Sequence, residues 1–157
     1  PEKKRANACF IYAGQDSDAV AAATMDLSTI CRIDIKGFIP LEELRHIHRR
    51  AIANLYIKSN LTFHHKTIEM LSAGRPLICY PEETEEAVEI SQSTSVPLFS
   101  CDSPEQVSEA LDQSLNIGLI NIQEDGGLKA LTWESQAKKL EEIFLNVANK
   151  QNDSANA

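Results

Sequence analysis

The stretch His64–Pro76, with the sequence HHKTIEMLSAGRP, carries residue types that can bind a phosphorylated ligand. Its pattern predicts a helix over Thr67–Ala73 that ends at Gly74, a residue type that commonly terminates helices. The start of a helix presents unpaired backbone N–H groups and the positive end of the helix dipole, and both attract phosphate. Lys66 adds a positive charge at that end, where a lysine disfavours the bare helix. The stretch therefore predicts an anion site at the helix start.

The side chains around this helix start offer further contacts. Glu69 lies one turn into the predicted helix, where a carboxylate can accept hydrogen bonds from two ribose hydroxyls, although spacing alone favours an ordinary solvent-facing residue. His64 and His65 can donate hydrogen bonds to an anion. Adjacent histidines on an extended segment point to opposite sides, and no H-x-x-x-H pair or nearby Cys completes a metal site. We therefore expect neither a bound metal nor another resident cofactor.

The composition is that of one ordinary soluble domain. The chain has 157 residues, of which 43% are hydrophobic and 24% are charged, enough for a single sizeable core. A net charge of −8 argues against a general nucleic-acid surface, because binding phosphate backbones requires a basic field. No apolar run approaches the roughly 20 residues that cross a bilayer, and no signal-peptide pattern opens the chain. We expect no nucleic-acid partner and no transmembrane segment.

The four cysteines favour a cytoplasmic protein. Cys9, Cys31, Cys79 and Cys101 are widely spaced and form no C-x-x-C pair, so a zinc ribbon is not predicted. Three of them lie in or beside apolar, strand-like runs. Buried free thiols in a reducing compartment are the better interpretation.

The elements that must position the predicted site alternate between strand and helix. Short apolar runs predict buried strands, and amphipathic or capped segments between them predict helices. The predicted strands are Ala8–Ala13, Cys31–Ile35, Ala53–Ile57, Leu77–Tyr80 and Val96–Ser100. The alternation predicts an α/β fold with one parallel sheet covered by helices on both faces. We expect one domain over residues 1–150 and a disordered polar tail over residues 151–157.

Three further features complete the predicted scaffold. Ser103 and Pro104 form a strong helix start, and Thr132 caps the last helix. That helix carries an apolar stripe, which is either core packing or a face for another domain; its members are Trp133, Ala137, Leu140, Phe144 and Val147. Ligands of parallel sheets bind outside the carboxyl ends of the strands. The loops at that edge are predicted to be Gly14–Ser17, Gly37–Pro40, Lys58–Lys66 and Pro81–Glu85.

Four segments in this order resemble one protein family. They are GFIPLEELRHIHRRAIANLYIKSN, HHKTIEMLSAGRPLICY, SPEQVSEALDQ and TWESQAKKLEEIF. Their order and spacing are similar to the C-terminal, donor-binding half of GT-B glycosyltransferases, closest to the retaining group related to glycogen and sucrose synthases. The resemblance covers roughly Cys31 to Phe144. It implies a Rossmann-like sheet and one half of a GT-B fold.

The resemblance implies a role for each part of the predicted site. The turn Gly37–Pro40, with Gly37, Phe38 and Ile39, would offer backbone groups to the nucleotide base. His65, Lys66 and Thr67 would hold the diphosphate, and Glu69 would bind the ribose hydroxyls. The loop Pro81–Glu85, with Pro81 and Glu82, would lie near the donor sugar. The implied partners are a nucleoside-diphosphate sugar and an N-terminal acceptor domain that this chain lacks.

Two positions depart from the family pattern. Leu61 stands eight residues before Glu69, where many members carry a second glutamate, and Gln15 follows Gly14 where many carry an arginine. Either that basic site is absent, or Ala8–Gly14 corresponds to the family's second strand and the first lies outside this chain. The expected function is sugar transfer from a nucleoside diphosphate to an acceptor, with catalytic residues unassigned and the chain inactive by itself. The alternatives are a non-catalytic binding or assembly module and a sugar-nucleotide epimerase.

Overall fold

The five predicted strands are all present and parallel, and they form two small sheets. A computed structural model describes residues 8–57, 65–122 and 126–155 of the chain. It divides into two compact units, Pro1–Ile47 and His48–Ala157. Both units combine parallel strands with helices, so the predicted α/β class is confirmed.

The first unit contains a two-stranded sheet. Strand β1 (Cys9–Tyr12) and strand β2 (Arg32–Ile35) pair in parallel, with Cys9 opposite Arg32. Between them lie helix α1 (Ser17–Ala23) and a short 3₁₀ helix (Asp26–Thr29), and helix α2 (Leu41–Arg50) begins after β2. Among the described residues of this unit only Thr24 is fully buried. The first unit therefore has little core of its own.

The second unit contains a three-stranded parallel sheet in the order β3-β4-β5. Its strands are β3 (Asn54–Ile57), β4 (Leu77–Tyr80) and β5 (Leu98–Ser100). Its helices are α3 (His65–Leu71), α4 (Glu85–Gln92), α5 (Pro104–Ser114), α6 (Gly126–Ala130) and α7 (Trp133–Ala155). Each strand is followed by a helix, the connection that parallel pairing requires.

The core of the second unit lies on both faces of β4. Successive side chains of a strand point to opposite faces. Leu77 and Cys79 belong to one apolar cluster, which includes Leu71 of α3. Ile78 belongs to a second cluster with Ala110 of α5. Burial on both sides explains why the β4 sequence is a continuous apolar run rather than an alternating one.

Local signals fix several helix ends as predicted. The Ser103 hydroxyl accepts a hydrogen bond from the backbone N–H of Gln106, with Pro104 as the first residue of α5. The Thr132 hydroxyl accepts one from the backbone N–H of Ser135 at the start of α7. Each bond satisfies an N–H group that has no partner within its helix.

Some predicted boundaries are wrong. Helix α3 begins at His65 rather than Thr67 and ends at Leu71. Helix α6 begins at Gly126, and α7 runs to Ala155, into the predicted tail. The single predicted sheet is divided in two among the described residues, because no described pairing joins β1 or β2 to β3, β4 or β5. Strand propensity is local, whereas the choice of paired edges depends on distant segments.

Helix α7 exposes most of its predicted apolar stripe. The indole of Trp133 is 88% exposed, and the other large members, Leu140, Phe144 and Val147, are also exposed. The stripe is therefore not core packing within the part of the chain that the structure describes. Across the same described residues, no helix is long and apolar enough to span a membrane.

Candidate functional site

The candidate site lies in the second unit, at the carboxyl ends of its strands. Because the strands are parallel, the chain leaves each of them at the same edge of the sheet. Three segments meet there: the first turn of α3, the loop 81–84 after β4, and Ser100 at the end of β5. This is the edge at which a ligand of a parallel sheet is expected to bind.

Lys66 and Glu69 lie together on the open side of α3. Lys66 Nζ is 3.1 Å from Glu69 Oε2, one helical turn away, and the two side chains are 61% and 63% exposed. An exposed ion pair of this kind contributes at most about 1 kcal/mol, so a stronger anion can displace the carboxylate from the lysine. Displacement would leave Glu69 free to accept hydrogen bonds from a polyol.

His48 lies within electrostatic range of the Lys66–Glu69 pair, and no role was assigned to it from the sequence. The side chain is half-buried, and its pKa is lowered by burial and then by the positive charge of Lys66, while the charge of Glu69 acts in the opposite direction. The charges of both predicted ligand groups therefore influence the pKa of the imidazole. No sequence signal indicated this influence, because His48 is in the last turn of α2 whereas Lys66 and Glu69 are on α3.

Thr67, predicted to hold the diphosphate, turns its side chain inward. It is 1% exposed, and its Oγ1 donates a hydrogen bond to Glu83 Oε2 at 3.3 Å. Thr67 and Leu71 are four residues apart and share the buried side of α3, whereas Lys66 and Glu69 share the open side. The Thr67 hydroxyl thus has a protein partner inside the fold.

Glu83 is a buried carboxylate that the sequence reasoning passed over in favour of its neighbours. It is 8% exposed. Besides the bond from Thr67, its Oε1 accepts one from the backbone N–H of Thr84 at 2.9 Å. Its own backbone N–H donates to Ser100 Oγ at 2.8 Å. The adjacent Pro81 and Glu82, predicted near the donor sugar, are both exposed.

The turn predicted to contact the base belongs to the first unit. Gly37 has a φ of +65°, and its carbonyl oxygen accepts a hydrogen bond from the backbone N–H of Gly14 at 2.8 Å. Phe38 is almost fully exposed, and Ile39 is half-buried. The turn therefore presents an aromatic ring to solvent beside a left-handed glycine that few other residues could replace.

Three positions considered in the sequence have no described side-chain geometry. His64 and Leu61 lie outside the described residues, and His65 is the first residue of α3 with an undescribed side chain. Helix α3 has only seven residues, so an anion would be bound mainly by the charge of Lys66 rather than by the helix dipole.

A cavity of about 280 Å³ lies in the second unit between β5 and α5, and Ser100 is part of its lining. Its polar lining includes Gln106, Glu109 and Gln113. The Lys66–Glu69 pair is instead on an open surface. In the described ranges, no group of three or more His, Cys, Asp or Glu side chains is arranged to hold a metal ion.

Comparisons with models of protein families, with curated proteins and with solved structures found no match for this chain. Its function is therefore argued from its own residues.

Proposed function

We propose that this chain binds the nucleoside diphosphate of a nucleotide sugar and serves as the donor-binding, Rossmann-like half of a GT-B glycosyltransferase. The observation that carries the proposal is the Lys66–Glu69 pair at the carboxyl-end edge of a parallel sheet, exposed and one turn apart. A cation for the diphosphate and a carboxylate for the ribose are the two groups that such a ligand needs. The segment order that resembles this family supports the same assignment.

In the proposed reaction the bond between the sugar's anomeric carbon and the diphosphate oxygen breaks. A new bond forms between that carbon and an acceptor hydroxyl oxygen, and the hydroxyl proton is released. Negative charge grows on the departing diphosphate, where the ammonium of Lys66 would stabilise it electrostatically. Glu69 would hold the ribose and so orient the diphosphate beside Lys66.

An N-terminal domain would supply the acceptor site. Helix α7 offers it an apolar surface, because Trp133, Leu140 and Phe144 are exposed.

Calorimetric titration with uridine, guanosine and adenosine diphosphates tests the binding proposal. We expect one of them to bind, and Lys66→Ala to weaken its binding at least about tenfold. Glu69→Ala should weaken binding of the ribonucleotide more than binding of the corresponding deoxyribonucleotide. Lys129→Ala is the matched control, since Lys129 is an exposed lysine on α6. Absence of binding by all three at millimolar concentration would refute the proposal.

A non-catalytic binding or assembly module is the second candidate. Leu61 in place of a glutamate and Gln15 in place of an arginine favour it. Sugar transfer by a form of the protein that carries an N-terminal domain would eliminate this candidate. An epimerase would instead convert the nucleotide sugar with no acceptor present, which product analysis distinguishes.

A further inference from the structure

Helix α3 is too short to hold its own orientation. A helix of seven residues is marginal in water, so its geometry depends on tertiary contacts. Leu71, fully buried in the core, anchors its last turn. Thr67 anchors its first turn through the hydrogen bond to Glu83. These two anchors are four residues apart, and together they set the rotation of the helix about its axis.

That rotation decides where the proposed ligand groups point. Lys66 and Glu69 lie on the side of α3 opposite its buried anchors, and both are well exposed. Rotation of α3 about its axis would move one of these two side chains toward the sheet and the other away from the ligand. The pair is therefore presented to solvent only while Thr67 stays turned inward.

Glu83 links Thr67 to the sheet through the loop after β4. One carboxylate oxygen accepts from Thr67 and the other from the backbone N–H of Thr84, which is the capping residue of α4. The backbone N–H of Glu83 donates to Ser100 Oγ at the end of β5. A buried carboxylate that accepts several hydrogen bonds is costly to disrupt, so the three segments are held in one arrangement.

We propose that Glu83 is a positioning residue, which acts through Thr67 to fix the first turn of α3 and thereby holds Lys66 and Glu69 in the geometry of the ligand site. The inference rests on the proposed function for the identity of that ligand, a nucleoside diphosphate. Glu83 itself is buried and does not contact the ligand. The neighbouring Glu82 is exposed, whereas Glu83 is buried and acts on the site only through its hydrogen bond with Thr67.

Amide hydrogen exchange tests the positioning role without any ligand. Thr67→Val keeps the shape of the side chain but removes the donor to Glu83. We expect the amides of α3 to exchange at least about tenfold faster in this variant, with those of β4 unchanged. Thr67→Ser keeps the hydroxyl and should restore the slow exchange. Glu83→Met should resemble Thr67→Val, because a methionine has a similar length but carries neither oxygen acceptor nor N–H donor for Thr67.

Ser91→Ala is the matched control for losing a buried hydroxyl. Its Oγ donates to the carbonyl oxygen of Val96 rather than to a residue of α3. If Thr67→Val and Glu83→Met change α3 exchange no more than Ser91→Ala does, the inference is overturned.

Titration with the diphosphate that binds the unmodified chain adds the functional measurement. Thr67→Val and Glu83→Met should weaken its binding at least about tenfold, whereas Ser91→Ala should not. Faster α3 exchange with unchanged affinity would overturn the link between Glu83 and the ligand site. If the unmodified chain binds no nucleoside diphosphate, the proposed function fails, while the exchange result still decides whether Glu83 positions α3.

Discussion

Two strands with similar sequences have different environments in the two units. The runs CFIY of β1 and LICY of β4 are both apolar, and both predict buried strands. Yet Cys9 and Ile11 are exposed in β1, whereas Leu77, Ile78 and Cys79 are completely buried in β4.

The difference follows from the layers around each strand. Strand β4 has a neighbouring strand on each side and an apolar cluster on each face. Strand β1 has one partner, and the described residues of its unit form no buried apolar cluster. An apolar run therefore predicts a strand, but burial requires helices and strands from elsewhere in the chain.

The largest test of this comparison replaces one isoleucine in each strand. Ile78→Ala removes a completely buried side chain and should lower the free energy of unfolding by about 2–5 kcal/mol. Ile11, 39% exposed, fills less of a core, so Ile11→Ala should cost less than about 1 kcal/mol. Urea denaturation followed by circular dichroism measures both. Equal losses would mean that the first unit has a core comparable to that of the second.

A glycine in each unit gives the next largest contrast. Gly74 and Gly37 both have positive φ angles, +71° and +65°, so alanine at either position should cost about 1–2 kcal/mol in backbone strain. At Gly74 the added Cβ would also lie 2.5 Å from the carbonyl oxygen of Ile120, whereas at Gly37 the nearest atom is 3.7 Å away. Gly74→Ala should therefore lower the thermal midpoint more than Gly37→Ala. The reverse order would contradict the close packing around α3.

Helix caps give a smaller contrast. Ser103 caps α5 with a side-chain hydrogen bond, whereas Asp16 at the start of α1 makes none. Ser103→Ala should cost about 1 kcal/mol, and Asp16→Ala should cost less because only its favourable charge near the helix start is lost. Denaturation midpoints compare the two variants. A larger loss for Asp16→Ala would show that α1 depends on its cap more than α5 does.

The smallest expected effect is the pH response of His48 in the second unit. Because its folded pKa lies below its ordinary value of about 6.5, the unfolded chain binds the proton more readily. The contribution of His48 to stability is therefore present above that ordinary value and is lost as the pH falls through and below it.

Titration of the His48 ring protons by nuclear magnetic resonance measures this pKa directly. Lys66→Ala should raise it, since a neighbouring positive charge is removed, and Glu69→Gln should lower it further. Lys129→Ala, the control lysine on α6, should leave it unchanged. If neither of the α3 variants moves the pKa, His48 does not belong to the candidate site.

Much of the fold is predictable because its signals are short. The β4 strand has its predicted bounds, Leu77–Tyr80, and the caps at Ser103 and Thr132 form as predicted. The relation between Lys66 and Glu69 also follows from helical spacing, because residues three apart are neighbours on a helix. Each of these features depends on a few consecutive residues.

The rest of the candidate site was not predictable because its contacts join distant segments. Glu83 and Thr67 are sixteen residues apart, and nothing in the loop sequence PEET distinguishes the buried Glu83 from the exposed Glu82. The charges of Lys66 and Glu69 on α3 act on His48 of α2, which helical spacing within either element does not indicate.

The sequence by itself determined the five strand segments and where several helices begin. Only the tertiary structure decided that the strands form two sheets, that β4 is buried while β1 is half-exposed, and that Thr67 turns toward Glu83. The physical reason is the distance along the chain over which each interaction acts. Propensity, capping and helical spacing act within one or two turns, whereas burial and the pairing of buried polar groups depend on every segment that packs against them.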